Sequence, residues 1–261
     1  MFLLLERSML TKKDLALIPK SFDTIGDIIL FSEFPKTKKE KQLGEYVLKK
    51  FPHIKVIAKK TEAHSGKYRL KKVKIIAGEK RKITLHKENG ILLKLDIEKC
   101  YFSPRLANER MRIFNQIKKD ETVLVMFSGI SPYTILLAKK AKEVYGIEAN
   151  PIAHKYAQEN VKLNKVPNVT LFKGDVKKII PKLNKKFDRI IMPLPKTAES
   201  FLELALTKLK EKGIIHMYTF LKEEEMKEIP QRFPRFKVPN ITRCGQSSPS
   251  TFRVCIDLKL K

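Results

Sequence analysis

The sequence predicts an α/β fold, a layered Rossmann-like sheet domain preceded by a small α+β module, and three observations lead there. Residues 122–151 read TVLVMFSGISPYTILLAKKAKEVYGIEANP: an apolar strand (123–127), a tight turn at Gly129, a helix (132–140) and a second strand (143–147) closed by Glu148. Past this unit, strand and helix patterns alternate to the C-terminus, as in a parallel sheet covered on both faces. Residues 21–99 differ, with short strand patterns, one helix and dense positive charge. A strand, a glycine turn, a helix and a strand ending in a carboxylate form the βαβ unit that holds nucleoside-containing cofactors. The backbone passes close to the ligand at the glycine, and the carboxylate accepts hydrogen bonds from ribose hydroxyls. Ser131 stands where a second glycine would help.

Taken in order, residues 1–20 form an N-terminal extension with a short helix or strand before Pro19. Strand patterns follow at 27–31, 54–58, 73–77, 83–86 and 91–95, with a helix at 39–51 marked by Leu43, Val47 and Leu48. Asn89-Gly90 between the last two strands is a hairpin signal, because both residues tolerate positive φ. Ser103-Pro104 starts a linking helix, with Ser103 placed to cap it. Arg105 and Glu109, four apart, share a face of that helix; on the residues alone Glu109 reads as an ion-pair partner, with Arg112 at i+3. Beyond the βαβ unit come a helix after Asn150-Pro151, a strand at 169–172 followed by Gly174-Asp175, and a strand at 187–192 followed by Pro193-Leu194-Pro195. A helix at 197–210 and strands at 214–220 and 253–258 complete the chain. Ligands of such sheets bind beyond the carboxyl ends of the strands, where Gly129, Glu148, Asp175 and Pro193 all fall.

Composition narrows the partners. With 55 Lys+Arg against 28 Asp+Glu, the 261-residue chain carries a formal charge of +27, which points to nucleic acid. Residues 36–82 hold 17 of the bases against four acids, and Tyr68 and Arg69 lie among them beside Gly66, suited to a stacked or splayed base. No apolar run approaches membrane-spanning length, and the patch in MFLLLERSML is broken by Glu6 and Arg7, so a cytoplasmic protein with no membrane partner is expected. Cys100, Cys244 and Cys255 have neither CxxC spacing nor neighbouring histidines, which implies no metal and no disulfide framework.

Seven runs then resemble one family: SFDTIGDI (21–28), HKENG (86–90), CYFSPRLANERMRI (100–113), MFSGISPY (126–133), EANP (148–151), ENVKLNKV (159–166) and MPLPKTAESFL (192–202). The family is the archaeal and eukaryal tRNA guanine-37 N1-methyltransferases with their wyosine-pathway relatives, and the resemblance covers about residues 19–261. It implies a Rossmann-like class I methyltransferase domain at 100–261, including the linking helix, that binds S-adenosylmethionine. A small basic α+β domain at 21–99 would contact tRNA. Family members usually carry a further N-terminal domain that grips the tRNA elbow, expected to be absent here.

Carried over by motif, the resemblance implies that Glu148 binds the cofactor ribose and that Asp175 and Val176 face the adenine. Arg110 and Asn150 would lie near the methionine or ribose end, with Phe127, Gly129 and Ala149 completing the cofactor side. Glu109 becomes the general base, in place of the ion-pair reading. Arg69 would contact O6 of the target guanine and Arg105 would position substrate and cofactor. The chemistry needs these types: guanine N1 carries a proton that a carboxylate can remove as the methyl arrives, and an arginine stabilises charge developing on O6. The sulfonium donor is already activated, so no metal is required.

One position departs from the pattern. The family's guanine enzymes read Asn-Leu-Pro or Asn-Pro-Pro after the fourth strand, whereas this chain has Pro193, which offers neither a side-chain polar group nor an N–H. Relatives that also methylate C7 of 4-demethylwyosine at position 37 would gain from such a less polar pocket. The expected partner is a tRNA anticodon loop, tRNA-Phe foremost, bound by a monomer. Two alternatives stand beside this reading: an aminocarboxypropyl transferase of the same pathway, and a catalytically silent tRNA-binding protein.

Overall fold

The computed structural model describes residues 10–62, 66, 68–194 and 197–261, in two compact units. Pro195 and the apolar patch at 2–5 lie outside the described residues. The first unit takes the chain through His86 together with Asp96–Lys99. It opens with α1 (Lys12–Ala16), where Thr11 and Asp14 form a reciprocal capping box. Strands β1 (Asp23–Ile25) and β2 (Ile28–Phe31), helix α2 (Glu40–Lys50), and strands β3 (Val56–Lys60) and β4 (Val73–Gly78) follow, the strands pairing in the order β1-β2-β3-β4. Only β2 and β3 are parallel, and α2 supplies the crossover that a parallel pair needs. The helix buries Leu43, Gly44 and Val47, and a Cβ at position 44 would stand 2.6 Å from the Ile76 side chain, so glycine sets how closely α2 approaches.

Strands β5 (Ile83–Glu88) and β6 (Ile91–Asp96) pair as a hairpin whose turn residues Asn89 and Gly90 have φ of +46° and +72°. Residues Lys87–Leu95 of this hairpin and Cys100–Lys261 make up the second unit. A 3-10 turn (Pro104–Leu106) leads into α3 (Ala107–Gln116), then β7 (Thr122–Met126), α4 (Pro132–Ala138), β8 (Glu143–Glu148), α5 (Pro151–Leu163) and β9 (Val169–Lys173). Next come α6 (Val176–Ile179), β10 (Phe187–Met192), α7 (Leu202–Leu206), β11 (Leu209–Lys222), α8 (Ile229–Arg232), β12 (Phe236–Ser248) and β13 (Thr251–Leu260). Asn160 of α5 and Asn164 at its C-terminal cap pair with β6: Asn164 exchanges bonds with the N–H and C=O of Leu92 at 2.8 and 2.6 Å, and Asn160 with those of Lys94 at 2.7 and 3.0 Å.

The seven-stranded sheet has the order β12-β13-β11-β10-β7-β8-β9. Five strands pair in parallel, but β13 runs against its neighbours β11 and β12, so the sheet is mixed where a parallel one was expected. Strand β12 was not anticipated, because Pro239 and Gly245 interrupt its alternation; Pro239 sits in a register shift of this edge strand, where a missing N–H is tolerated. The helix expected at 197–210 is a 3-10 turn (Ala198–Phe201) and the five-residue α7, since Leu209 already pairs with Phe187 in the sheet. Ser103 makes no side-chain cap; its carbonyl instead accepts a hydrogen bond from Arg110. No helix among the described residues is long and apolar enough to cross a membrane.

Candidate active site

The turn after β7 is unusual in its backbone. Phe127, Gly129 and Ser131 have φ of +59°, +58° and +71°, three left-handed residues within five. An added Cβ at Gly129 would meet only the Tyr101 carbonyl oxygen, at 3.8 Å, so φ requires the glycine and open space lies beside it. Ser131 immediately precedes α4 without capping it through its side chain. The buried hydroxyls of Ser128, Ser131 and Thr134 have no hydrogen-bond partner among the described residues.

Glu148, the last residue of β8, folds back over this turn. Its Oε2 accepts from the Gly129 N–H at 2.7 Å and its Oε1 from the Asn150 N–H at 2.6 Å. Burial pushes its carboxyl above the ordinary glutamate value, against these amides and that of Ala149. Each oxygen keeps further lone-pair capacity for a diol. Asn150 itself caps α5, its side-chain oxygen accepting from Ile152 and Ala153. Across the sheet edge, Gly174 N–H donates to the Glu148 carbonyl at 2.9 Å, and Asp175 caps α6 by accepting from Lys177 N–H. Val176 is buried behind it. The structure thus brings Gly129, Glu148, Asn150 and Asp175 together at the carboxyl ends of β7, β8 and β9, and the carboxylate and the open space beside Gly129 fit a ribose-bearing ligand.

A second centre lies on α3. Glu109 is buried, and Arg112 grips it at two points, Nε to Oε2 and a terminal nitrogen to Oε1, both at 2.8 Å. Tyr218 of β11 donates to Oε1 at 2.6 Å, and Tyr133 of α4 lies 2.8 Å from the Tyr218 oxygen. Since Tyr218 spends its one proton on Glu109, Tyr133 is the donor of that second bond. Burial, and for Tyr133 next the Glu109 charge, pushes both phenols up and keeps them neutral. Oε1 therefore accepts twice and Oε2 once, which leaves Oε2 the freer oxygen.

Arg112 also reaches Asp257 at 3.2 Å; Asp257 lies 2.6 Å from His216 Nδ1, and His216 Nε2 lies 2.5 Å from Arg189, which pairs with Glu121. Arginine only donates, so Nε2 accepts and Nδ1 carries the proton to Asp257. Burial holds His216 below its usual range and neutral. Burial also works against Asp257, but the hydrogen bond from neutral His216 and the bond and charge of Arg112 outweigh it and hold its carboxyl at about 2. The ligand-type atoms of His216, Cys255 and Asp257 lie within 4.8 Å of one another, yet both imidazole nitrogens are spent in this network, so the trio does not suit a metal.

The other expected residues are placed differently. Arg110, 2% exposed, forks onto Glu88 of β5 at 2.5 and 2.6 Å and lies near the Phe102 and Tyr133 rings. Arg105 is exposed on the 3-10 turn and does not share a helical face with buried Glu109. Pro193 directly follows β10, half-buried. Arg69 belongs to the first unit, at φ +53°, its N–H bonded to the Gly66 carbonyl at 3.1 Å. Sequence reasoning missed Glu88, Tyr133, Tyr218 and Asp257, although Glu88 and Tyr133 stand inside the quoted motifs.

Residues 84–242 match the TRM5/TYW2 methyltransferase domain and residues 3–81 the TYW2 N-terminal domain. A tRNA (guanine(37)-N(1))-methyltransferase, Trm5b of Pyrococcus abyssi, is 40% identical over 93% of this chain and 76% of its own length. A tRNA 4-demethylwyosine(37)-methyltransferase, Taw21 of Saccharolobus solfataricus, is 38% identical over 92% of this chain and 94% of its own. The crystal structure of M. jannaschii TYW2 in complex with AdoMet superposes with a TM-score of 0.70 at 28% identity, covering 92% of this chain and 99% of that one.

Proposed function

Because the chain belongs to the TRM5/TYW2 methyltransferase family, we propose that it transfers a methyl group from S-adenosylmethionine to N1 of guanine-37 in the anticodon loop of a tRNA. The observation that carries this reading is the buried Glu109 carboxylate with Oε2 left the freer oxygen. The bound cofactor supplies a methyl group already activated on a sulfonium. Glu148 holds the ribose diol, with Gly129 and Asn150 fixing the carboxylate; Phe127, Ala149, Asp175 and Val176 line the adenosine side and Arg110 braces it through Glu88. Glu109 takes the N1 proton on Oε2, while Tyr218 and Arg112 keep the carboxylate oriented. Arg69 neutralises charge on O6 and Arg105 positions the substrate. The target base leaves its stack to reach the cofactor, which a single-stranded loop allows cheaply. The basic module at 21–99 supplies the tRNA contact.

A second reading rests on Pro193: C7 of 4-demethylwyosine is methylated at the same position, since no polar group at 193 opposes a larger, less polar base. The near-equal identity to a guanine enzyme and a demethylwyosine enzyme supports it. Both of those relatives are methyltransferases, so aminocarboxypropyl transfer is not favoured. The test incubates the protein with labelled cofactor and tRNA-Phe carrying either guanine-37 or demethylwyosine, followed by nucleoside analysis. Methyl transfer to guanine is expected; transfer to neither base overturns the reading. Pro193→Asn should impair the tricyclic reaction more than the guanine reaction, and equal effects would remove the second acceptor. Sedimentation of the active protein tests the monomer.

A further inference from the structure

We propose that Arg253 is a specificity residue that reads the O6/N7 edge of the target guanine, an inference that rests on the methyl-transfer reading above. Arg253 lies near the start of β13, beside Phe220 near the end of β11. Because β13 is antiparallel to β11, this is the carboxyl edge of the sheet, where Pro193 and the turn at Gly129 also lie. Val254, Ile256 and Leu258 enter the apolar core on one face, so alternation puts Arg253 on the opposite face with Cys255 and Asp257. That is the face of Glu109: Asp257 shares Arg112 with it, and Tyr218, the strand partner of Cys255, donates to it. Arg253 lies two positions from Cys255, a step of about 7 Å toward the edge.

The guanidinium is held but not satisfied. One terminal nitrogen donates to the Tyr101 hydroxyl at 3.1 Å, and its plane lies 5.4 Å from the Phe220 ring centroid. Its Nε–H is buried without a partner, and no carboxylate among the described residues pairs with it. The Cys244 thiol, which donates to the Arg253 carbonyl at 3.4 Å, feels both charges: burial pushes it up to about 12, Glu109 adds to the rise, and Arg253 opposes it. A cation with spare donors on the base's own face therefore awaits an acceptor. In guanine, O6 adjoins the N1 that Glu109 deprotonates, and an arginine fork on O6 and N7 is a strong and specific base contact. It would supply a base contact that Pro193 cannot make. A backbone phosphate would take the same charge but would gain nothing from a position beside the proton acceptor.

Single-turnover methyl transfer to tRNA carrying guanosine-37 or 7-deazaguanosine-37 tests this in wild type, Arg253→Gln and Arg253→Lys, with cofactor binding measured for each. Wild type should prefer guanosine by about tenfold or more, and Arg253→Gln should lose about 10- to 100-fold on guanosine until the two substrates converge. Arg253→Lys keeps the charge without the fork and should converge as well. The inference is overturned if wild type treats both substrates alike, a result that needs no variant. It is also overturned if the variants keep the wild-type ratio while KM rises for both substrates, the mark of a phosphate contact. Wild type inactive on guanosine-37 is a separate result, and removes the underlying reading as well.

Discussion

Tyr218 donates its phenolic proton to the Glu109 carboxylate at 2.6 Å and receives one from Tyr133 at 2.8 Å, so a relay of two neutral phenols ends on the carboxylate proposed to take the N1 proton. Tyr218→Phe removes the middle of this relay while preserving its ring. The turnover of methyl transfer should fall about tenfold with cofactor binding unchanged, and the buried Tyr133 hydroxyl, left without its acceptor, should cost about 1–3 kcal/mol in urea unfolding. Unchanged turnover would separate Tyr218 from the chemistry.

Asp257 should make stability depend on acid. Its folded carboxyl is held at about 2, below the ordinary aspartate value of 3.8. The unfolded state therefore binds the proton first as pH falls, so the contribution is whole above pH 3.8 and is lost as pH drops toward 2. That contribution is roughly 2 kcal/mol at neutral pH. Asp257→Asn should unfold earlier in urea at pH 7 and show a shallower further loss between pH 4 and 2.5 than wild type; parallel curves would contradict the assignment.

Glu148 predicts the pH dependence of cofactor binding. Burial raises its carboxyl above the ordinary 4.5, so protonation begins at a higher pH than for an exposed glutamate and removes acceptor capacity from a diol. Calorimetric affinity for S-adenosylmethionine should decline on acidification with a midpoint above 4.5, where Glu148→Gln should bind weakly at every pH. A flat wild-type profile from pH 7 to 4.5 would place the ribose elsewhere.

Ser131 offers a stabilising change. It holds φ +71°, is fully buried, and its hydroxyl has no partner among the described residues. Left-handed backbone costs a residue with a Cβ about 1–2 kcal/mol, and glycine relieves it. Ser131→Gly should raise unfolding stability by about 1 kcal/mol after glycine's own entropy is counted, read as a higher urea midpoint. If the hydroxyl serves the cofactor, affinity should fall in the same variant.

The cofactor edge was legible because its signals are local: an apolar strand, a glycine turn and a carboxylate within one βαβ unit, which the structure joins through the Gly129–Glu148 bond. Strand β12 was not, because Pro239 and Gly245 hide its period and its pairing partner lies beyond a turn. Residues 209–210 look helical on their own and become strand through pairing with β10, while 207–208 turn out of α7. The ion pair of Glu109 with Arg112 was visible as helical spacing, but its extension to Asp257, 145 residues away, is a tertiary fact that no spacing rule carries. Glu88 and Arg110 meet for the same reason, 22 positions apart.

Asn160 and the α5 cap residue Asn164 have a further consequence. Side-chain amides spaced one helical turn apart match the N–H and C=O groups of alternate residues on β6, so Asn160 and Asn164 imitate a neighbouring strand. A two-stranded hairpin would otherwise present an open ladder, the template on which foreign chains add and aggregates grow. Here a helix closes that ladder without contributing a strand of its own, which gives the 159–166 motif a protective purpose apart from catalysis.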